Sequence, residues 1–66
     1  MTIARGRELA NQFNPDPQNV RRIIECLKWE SSYIQNCIDK GLRNLESGER
    51  DVKEISNLIS ELEKKL

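Results

Sequence analysis

From Pro17 to Glu46 no residue pair forces a helix to stop, and along that stretch the apolar residues fall on two separate stripes of one helix. Steps of ~100° per residue place Val20, Ile24, Leu27, Ser31, Ile34, Ile38, Leu42 and Leu45 on the first stripe. The spacing alternates between four and three residues, which is the seam of an antiparallel helical hairpin or coiled coil. About a third of a turn away lie Ile23, Cys26, Tyr33, Cys37 and Gly41, with Trp29 on the rim. Most charges of this segment (Glu25, Lys28, Asp39, Arg43, Glu46) take the remaining face. A helix of this kind needs two apolar neighbours, so the question is what supplies them.

The sequence predicts one domain over residues 1–66 with three helices. The first covers about 2–13, with Ile3, Leu9, Ala10 and Phe13 at helical spacing and Thr2 as N-cap. Gly6 weakens it by about 1 kcal/mol relative to Ala. The prolines of Asn14-Pro15-Asp16-Pro17 push their predecessors out of the α region. Asp16 followed by Pro17 then starts a second helix, a carboxylate cap ahead of a residue that has no N–H to leave unpaired. That helix is placed at about 17–46, with Gly41 tolerated inside it. Ser47-Gly48-Glu49 is read as the turn, with Gly48 as a left-handed C′ residue, and the third helix as about 49–65. Glu49 and Asp51 suit its positive end; Lys64 and Lys65 suit its negative end.

Helix 3 presents one stripe, Val52, Ile55, Ile59, Leu62 and Leu66, with Leu58 beside it. It matches the first stripe of helix 2 and leaves the second to another neighbour. With these boundaries helices 1 and 3 together are about as long as helix 2. They are therefore expected end to end along it, in a body two helices thick, with a closed three-helix monomer as the alternative. The fold class read from the sequence is all-α: an antiparallel hairpin with a short N-terminal helix, dimerising into a helical bundle through the uncovered flank of helix 2.

Size and composition remove several functions. A chain this small buries only ~60% of the surface it exposes unfolded, so a core and a deep catalytic cavity compete for the same residues. Eleven Lys+Arg balance eleven Asp+Glu, which argues against a strongly basic nucleic-acid binder and against a polybasic membrane anchor. Apolar runs are too short for a transmembrane helix, and Met-Thr-Ile-Ala-Arg-Gly matches no lipidation signal. The expected compartment is the cytoplasm. Two Cys and no His make no zinc site within one chain. No glycine-rich phosphate loop, catalytic triad or nucleic-acid fingerprint is present, so no catalytic, metal or cofactor residues are assigned. The turn before helix 2 invites comparison with a helix-turn-helix, but it holds two prolines, and helix 2 is too long and too apolar to lie in a groove of DNA.

Six residues define the expected interface on helix 2: Ile23, Cys26, Trp29, Glu30, Tyr33 and Cys37. Trp29 and Tyr33, one turn apart, can anchor a partner or stack on a base. Cys26 and Cys37 are three turns apart, ~16 Å along an intact helix, too far for an intrachain disulfide. In a dimer with its twofold axis near Ser31–Ser32, Cys26 of one chain approaches Cys37 of the other; the alternative is that both are small apolar residues. Glu30 lies within the second stripe and needs Arg22, or Arg5 or Arg7 from helix 1, or contact with water. Arg5, Arg7, Arg21 and Arg22 flank the proline turn and can converge on an anion.

The function read from this pattern is a small non-enzymatic interaction module, an adaptor, assembly factor or inhibitor, that self-associates and engages an unidentified protein partner. Small charge-balanced helical hairpins are common among accessory proteins of bacteria and phages, an analogy of size and shape only. Two alternatives use the four arginines. One is an oligomer sequestering a small anionic or nucleotide-like ligand, with Trp29 and Tyr33 lining the shared pocket. The other is weak, salt-sensitive nucleic-acid binding.

Overall fold

The long helix begins where the proline turn predicts. In the computed structural model, which describes residues 2–66, α1 spans Thr2–Asn11, α2 Pro17–Asp39 and α3 Leu45–Glu63. Asp16 caps α2: its Oδ1 accepts from the backbone N–H of Gln18 at 3.0 Å, and Pro17 occupies the first turn. Pro15 is buried beneath this turn. The chain is all-helical among the described residues, and the three helices pack against one another in a body of 40 × 18 × 16 Å.

The connection between α2 and α3 lies earlier than the sequence suggests, and its two glycines exchange roles. Gly41 has φ +73°, a left-handed conformation that favours a residue without a Cβ. The N–H of Gly41 bonds to Ile38 O at 3.0 Å, and that of Leu42 to Cys37 O at 2.9 Å. This is the double hydrogen bond of a Schellman stop, so α2 ends at Asp39 rather than near Glu46. Asn44 then restarts the chain. Its Oδ1 accepts from the N–H groups of Glu46 (2.9 Å) and Ser47 (3.2 Å). An ion pair between Arg43 and Asp51 ties the connection to α3. Gly48, expected in the turn, is buried inside α3. A methyl group there would come 2.5 Å from Ile38 Cδ1 and 2.7 Å from its Cγ1, so the glycine permits the close approach of α2 and α3.

Starting at Leu45 rather than near Glu49, α3 runs back along nearly the whole of α2. No length of α2 is then left for α1 to occupy end to end with α3. Instead α1 lies beside both, and the end-to-end arrangement does not form. A Cβ on Gly6 would be 3.3 Å from Leu27 Cδ1 and 3.6 Å from Leu58 Cδ1, which places α1 over the seam between the other two helices. Two polar contacts hold its outer side: the Arg7–Glu54 ion pair, and Lys65 Nζ donating to Gln12 O at 2.9 Å. One end of the molecule is therefore three helices thick and the other, toward residues 40–45, is the hairpin alone.

The core consists of Val20, Ile24, Leu27 and Ile34 from α2 and Ile55, Leu58 and Leu62 from α3, with Ile3, Leu9, Ala10, Ile23, Ile38, Val52 and Ile59 packed around them. Leu58 lies in the seam, not beside it, and Val52 and Ile59 lie at its edge. Leu42, Leu45 and Leu66, assigned to the seam by spacing, are exposed. Phe13, expected in helix 1, falls beyond its end and is 97% exposed.

Candidate functional site

The outer face of α2 follows from the same geometry as the core. Nine residues at ~100° each put Trp29 half a turn from Val20, on the side turned away from α3. Trp29 is 70% exposed and Tyr33, one turn on, 57% exposed. Their rings stack nearly parallel, 7° apart in plane, with centroids 5.7 Å apart. An aromatic pair of this kind contributes ~0.5–1.5 kcal/mol beyond area burial. That gain holds the two rings as one flat apolar plate without removing them from water. Beside the plate is a shallow depression lined by Glu25, Cys26, Lys28, Trp29 and Ser32. Lys28 Nζ stands 3.8 Å from Glu25 Oε1 at its rim.

The six expected interface residues separate into three groups. Cys26, Trp29 and Tyr33 are exposed and form the plate and its margin. Ile23 packs against the core and is half-covered by α1. Glu30 and Cys37 are half-buried at the border. Glu30 forms no ion pair with an arginine among the described residues, and Arg7, one of its expected partners, is engaged by Glu54 instead. The carboxylate retains contact with water, the remaining way to accommodate a charge at that position. Both cysteines are free thiols in the single chain, Cys26 exposed and Cys37 half-buried.

The four arginines do not converge. Residues one or two apart on a helix point to different sides, and the structure separates each pair accordingly. Arg5 and Arg22 face each other across a groove between α1 and α2, while Arg7 turns to Glu54 and Arg21 lies outside the groove. The groove has a volume of ≈ 290 Å³. Arg5, Glu8 and Leu9 line it from α1, Gln12 from just past the end of α1, and Asn19, Arg22 and Ile23 from α2. Neither Trp29 nor Tyr33 enters it, so within one chain the arginine-lined groove and the aromatic plate belong to different surfaces. Spacing alone could have identified this groove. Arg5, Glu8 and Leu9 stand at i, i+3 and i+4 on one face of α1, as Asn19, Arg22 and Ile23 do on α2.

Among the described residues no helix is long and apolar enough to cross a membrane, and no three His, Cys, Asp or Glu side chains gather into a metal-binding cluster. No protein-family model matches the chain, and comparison with curated proteins and with solved structures likewise gives no match.

Proposed function

We propose that this chain is a non-enzymatic protein–protein interaction module, and that it self-associates through the outer face of α2. The observation that carries this reading is the stacked Trp29–Tyr33 pair, two large rings preorganised in parallel and left in water on the face opposite the core. Tryptophan and tyrosine are the residues on which binding energy most often concentrates. A pair already fixed in one arrangement loses less side-chain freedom on binding than two mobile side chains would. Cys26 and the edge of Cys37 extend the same face with further small, weakly polar surface.

The plate is compact. A stable interface buries about 800 Å² per partner, more than two rings supply, so association through it relies on the surrounding polar rim and is weak or concentration-dependent. A second copy presents the same plate by symmetry, giving an isologous contact of α2 against α2. Static light scattering over a concentration series tests this. The wild-type chain is expected to rise from monomer toward dimer mass, and Tyr33→Glu, which places a charge in the plate, to remain monomeric. A wild-type mass that stays monomeric throughout, or a Tyr33→Glu variant that still dimerises, rejects this face as the self-association surface.

A further inference from the structure

The groove between α1 and α2 lies on a different surface from the aromatic plate, and its chemistry points to a different kind of ligand. Its floor is apolar: Leu9 and Ile23 are half-buried and packed against the core. Above them stand two guanidinium groups, Arg5 and Arg22, and one carboxylate, Glu8. None of the three forms an ion pair among the described residues, although Arg7 and Arg43 on neighbouring surfaces do. Glu8 therefore lines the groove with two arginines without closing an ion pair to either, and the groove carries both signs of charge above an apolar base. The amides of Gln12 and Asn19 add donors and acceptors along the walls. The capped turn at Asp16 and the buried Pro15 hold the two walls together.

We propose that this groove binds a small zwitterion, an α-amino acid with an apolar side chain. Arg5 and Arg22 recognise the carboxylate, for which guanidinium geometry is well suited. Glu8 accepts the ammonium group, and Leu9 with Ile23 receives the side chain. The volume, ≈ 290 Å³, lies at the lower limit of small-ligand sites, which run from about 300 Å³ upward. No aromatic ring enters the groove to stack on a base, which disfavours a nucleotide. A simple anion leaves Glu8 close to a like charge; a zwitterion uses it.

The test is a titration of isotopically labelled full-length chain with L-leucine, followed by amide resonances. Saturable shifts are expected at residues 5–12 and 19–23, with a dissociation constant on the order of 1 mM for so small a ligand in an open groove. N-acetyl-L-leucine, which lacks the ammonium, and L-leucinamide, which lacks the carboxylate, are each expected to bind at least about tenfold more weakly, as loss of a charge-assisted hydrogen bond implies. Arg22→Gln and Glu8→Gln are exposed changes and are expected to weaken L-leucine binding by a similar factor. After Glu8→Gln, the acetylated compound is expected to bind no worse than leucine. Trp29→Ala is expected to leave the titration unchanged. The proposal is overturned by the absence of saturable shifts with L-leucine, by wild-type binding of N-acetyl-L-leucine as tight as that of leucine, which marks a plain anion site, or by a leucine response that survives Arg22→Gln. Dispersed core resonances in each variant confirm that the fold is retained, and Arg5→Gln provides a second removal of a guanidinium should Arg22→Gln unfold.

Discussion

The two faces of α2 both carry apolar side chains but have opposite surroundings. On the inner face Val20, Ile24, Leu27 and Ile34 are buried against α1 and α3; on the outer face Trp29, Tyr33 and Cys26 stand in water. The inner face is aliphatic and interlocks with a second helix. The outer face holds two of the chain's three aromatic residues, stacked on each other rather than on a neighbouring helix. The difference separates two uses of apolar surface, one that holds the fold together and one that the fold can lose. Substitutions on the two faces should therefore act on different observables.

The largest effect is expected at Leu27, which is fully buried in the core beneath Gly6 of α1. Leu27→Ala should cost about 2–5 kcal/mol, comparable to the whole stability of a domain this small. Urea unfolding followed by circular dichroism should show the variant largely unfolded without denaturant. A loss below 1 kcal/mol would mean that the inner face does not carry the fold. The next effect concerns two glycines at helix contacts. Gly48→Ala forces a methyl group onto Ile38, and overpacking at about 1–3 kcal/mol outweighs the gain of about 1 kcal/mol in helix propensity. At Gly6 the nearest atom is 3.3 Å away, so Gly6→Ala should be neutral or slightly stabilising. Denaturation midpoints for the two variants should move in different directions, or one not at all. A smaller loss, about 1 kcal/mol, is expected for Asn44→Ala, which removes the cap of α3, and it should appear as a few degrees in the thermal midpoint.

Much of this architecture is legible in the sequence. The Asp16-Pro17 start of α2 is there, as are the seam from Val20 to Ile38 and its partners Ile55 and Leu62, because capping chemistry and 3.6-residue spacing act locally. The exposed part of the second stripe, Cys26, Trp29 and Tyr33, is legible for the same reason, whereas Ile23 of that stripe packs against the core and Gly41 lies past the end of α2. The end of α2 is not, because Leu42 and Leu45 continue the four-three spacing past the true stop. Periodicity runs through the connection as though it were helix. The informative signal is the pairing of Gly41 with Asn44, a left-handed stop followed three residues later by a cap. Gly48 resembles a turn residue in sequence, yet what selects glycine there is Ile38 on another helix, a long-range contact that local chemistry does not reveal. Misplacing that turn also misplaces α1, since its seat beside both helices depends on where α3 begins. The arginines show the same limit at the groove. Clustering in sequence brings Arg21 and Arg22 together, but helical geometry sends them to different sides.

The central claim, that the outer face of α2 is a surface for association, is tested most directly by its own reporter. Trp29 is the only tryptophan in the chain, and it is 70% exposed in the single molecule. Its emission maximum, followed from about 1 μM to about 1 mM protein, spans association free energies of about −8 to −4 kcal/mol. The expected result is a solvent-exposed emission at low concentration that moves to shorter wavelength as the ring is covered, with no such movement in Tyr33→Glu. An emission maximum that remains at its dilute value across the whole range would contradict the claim.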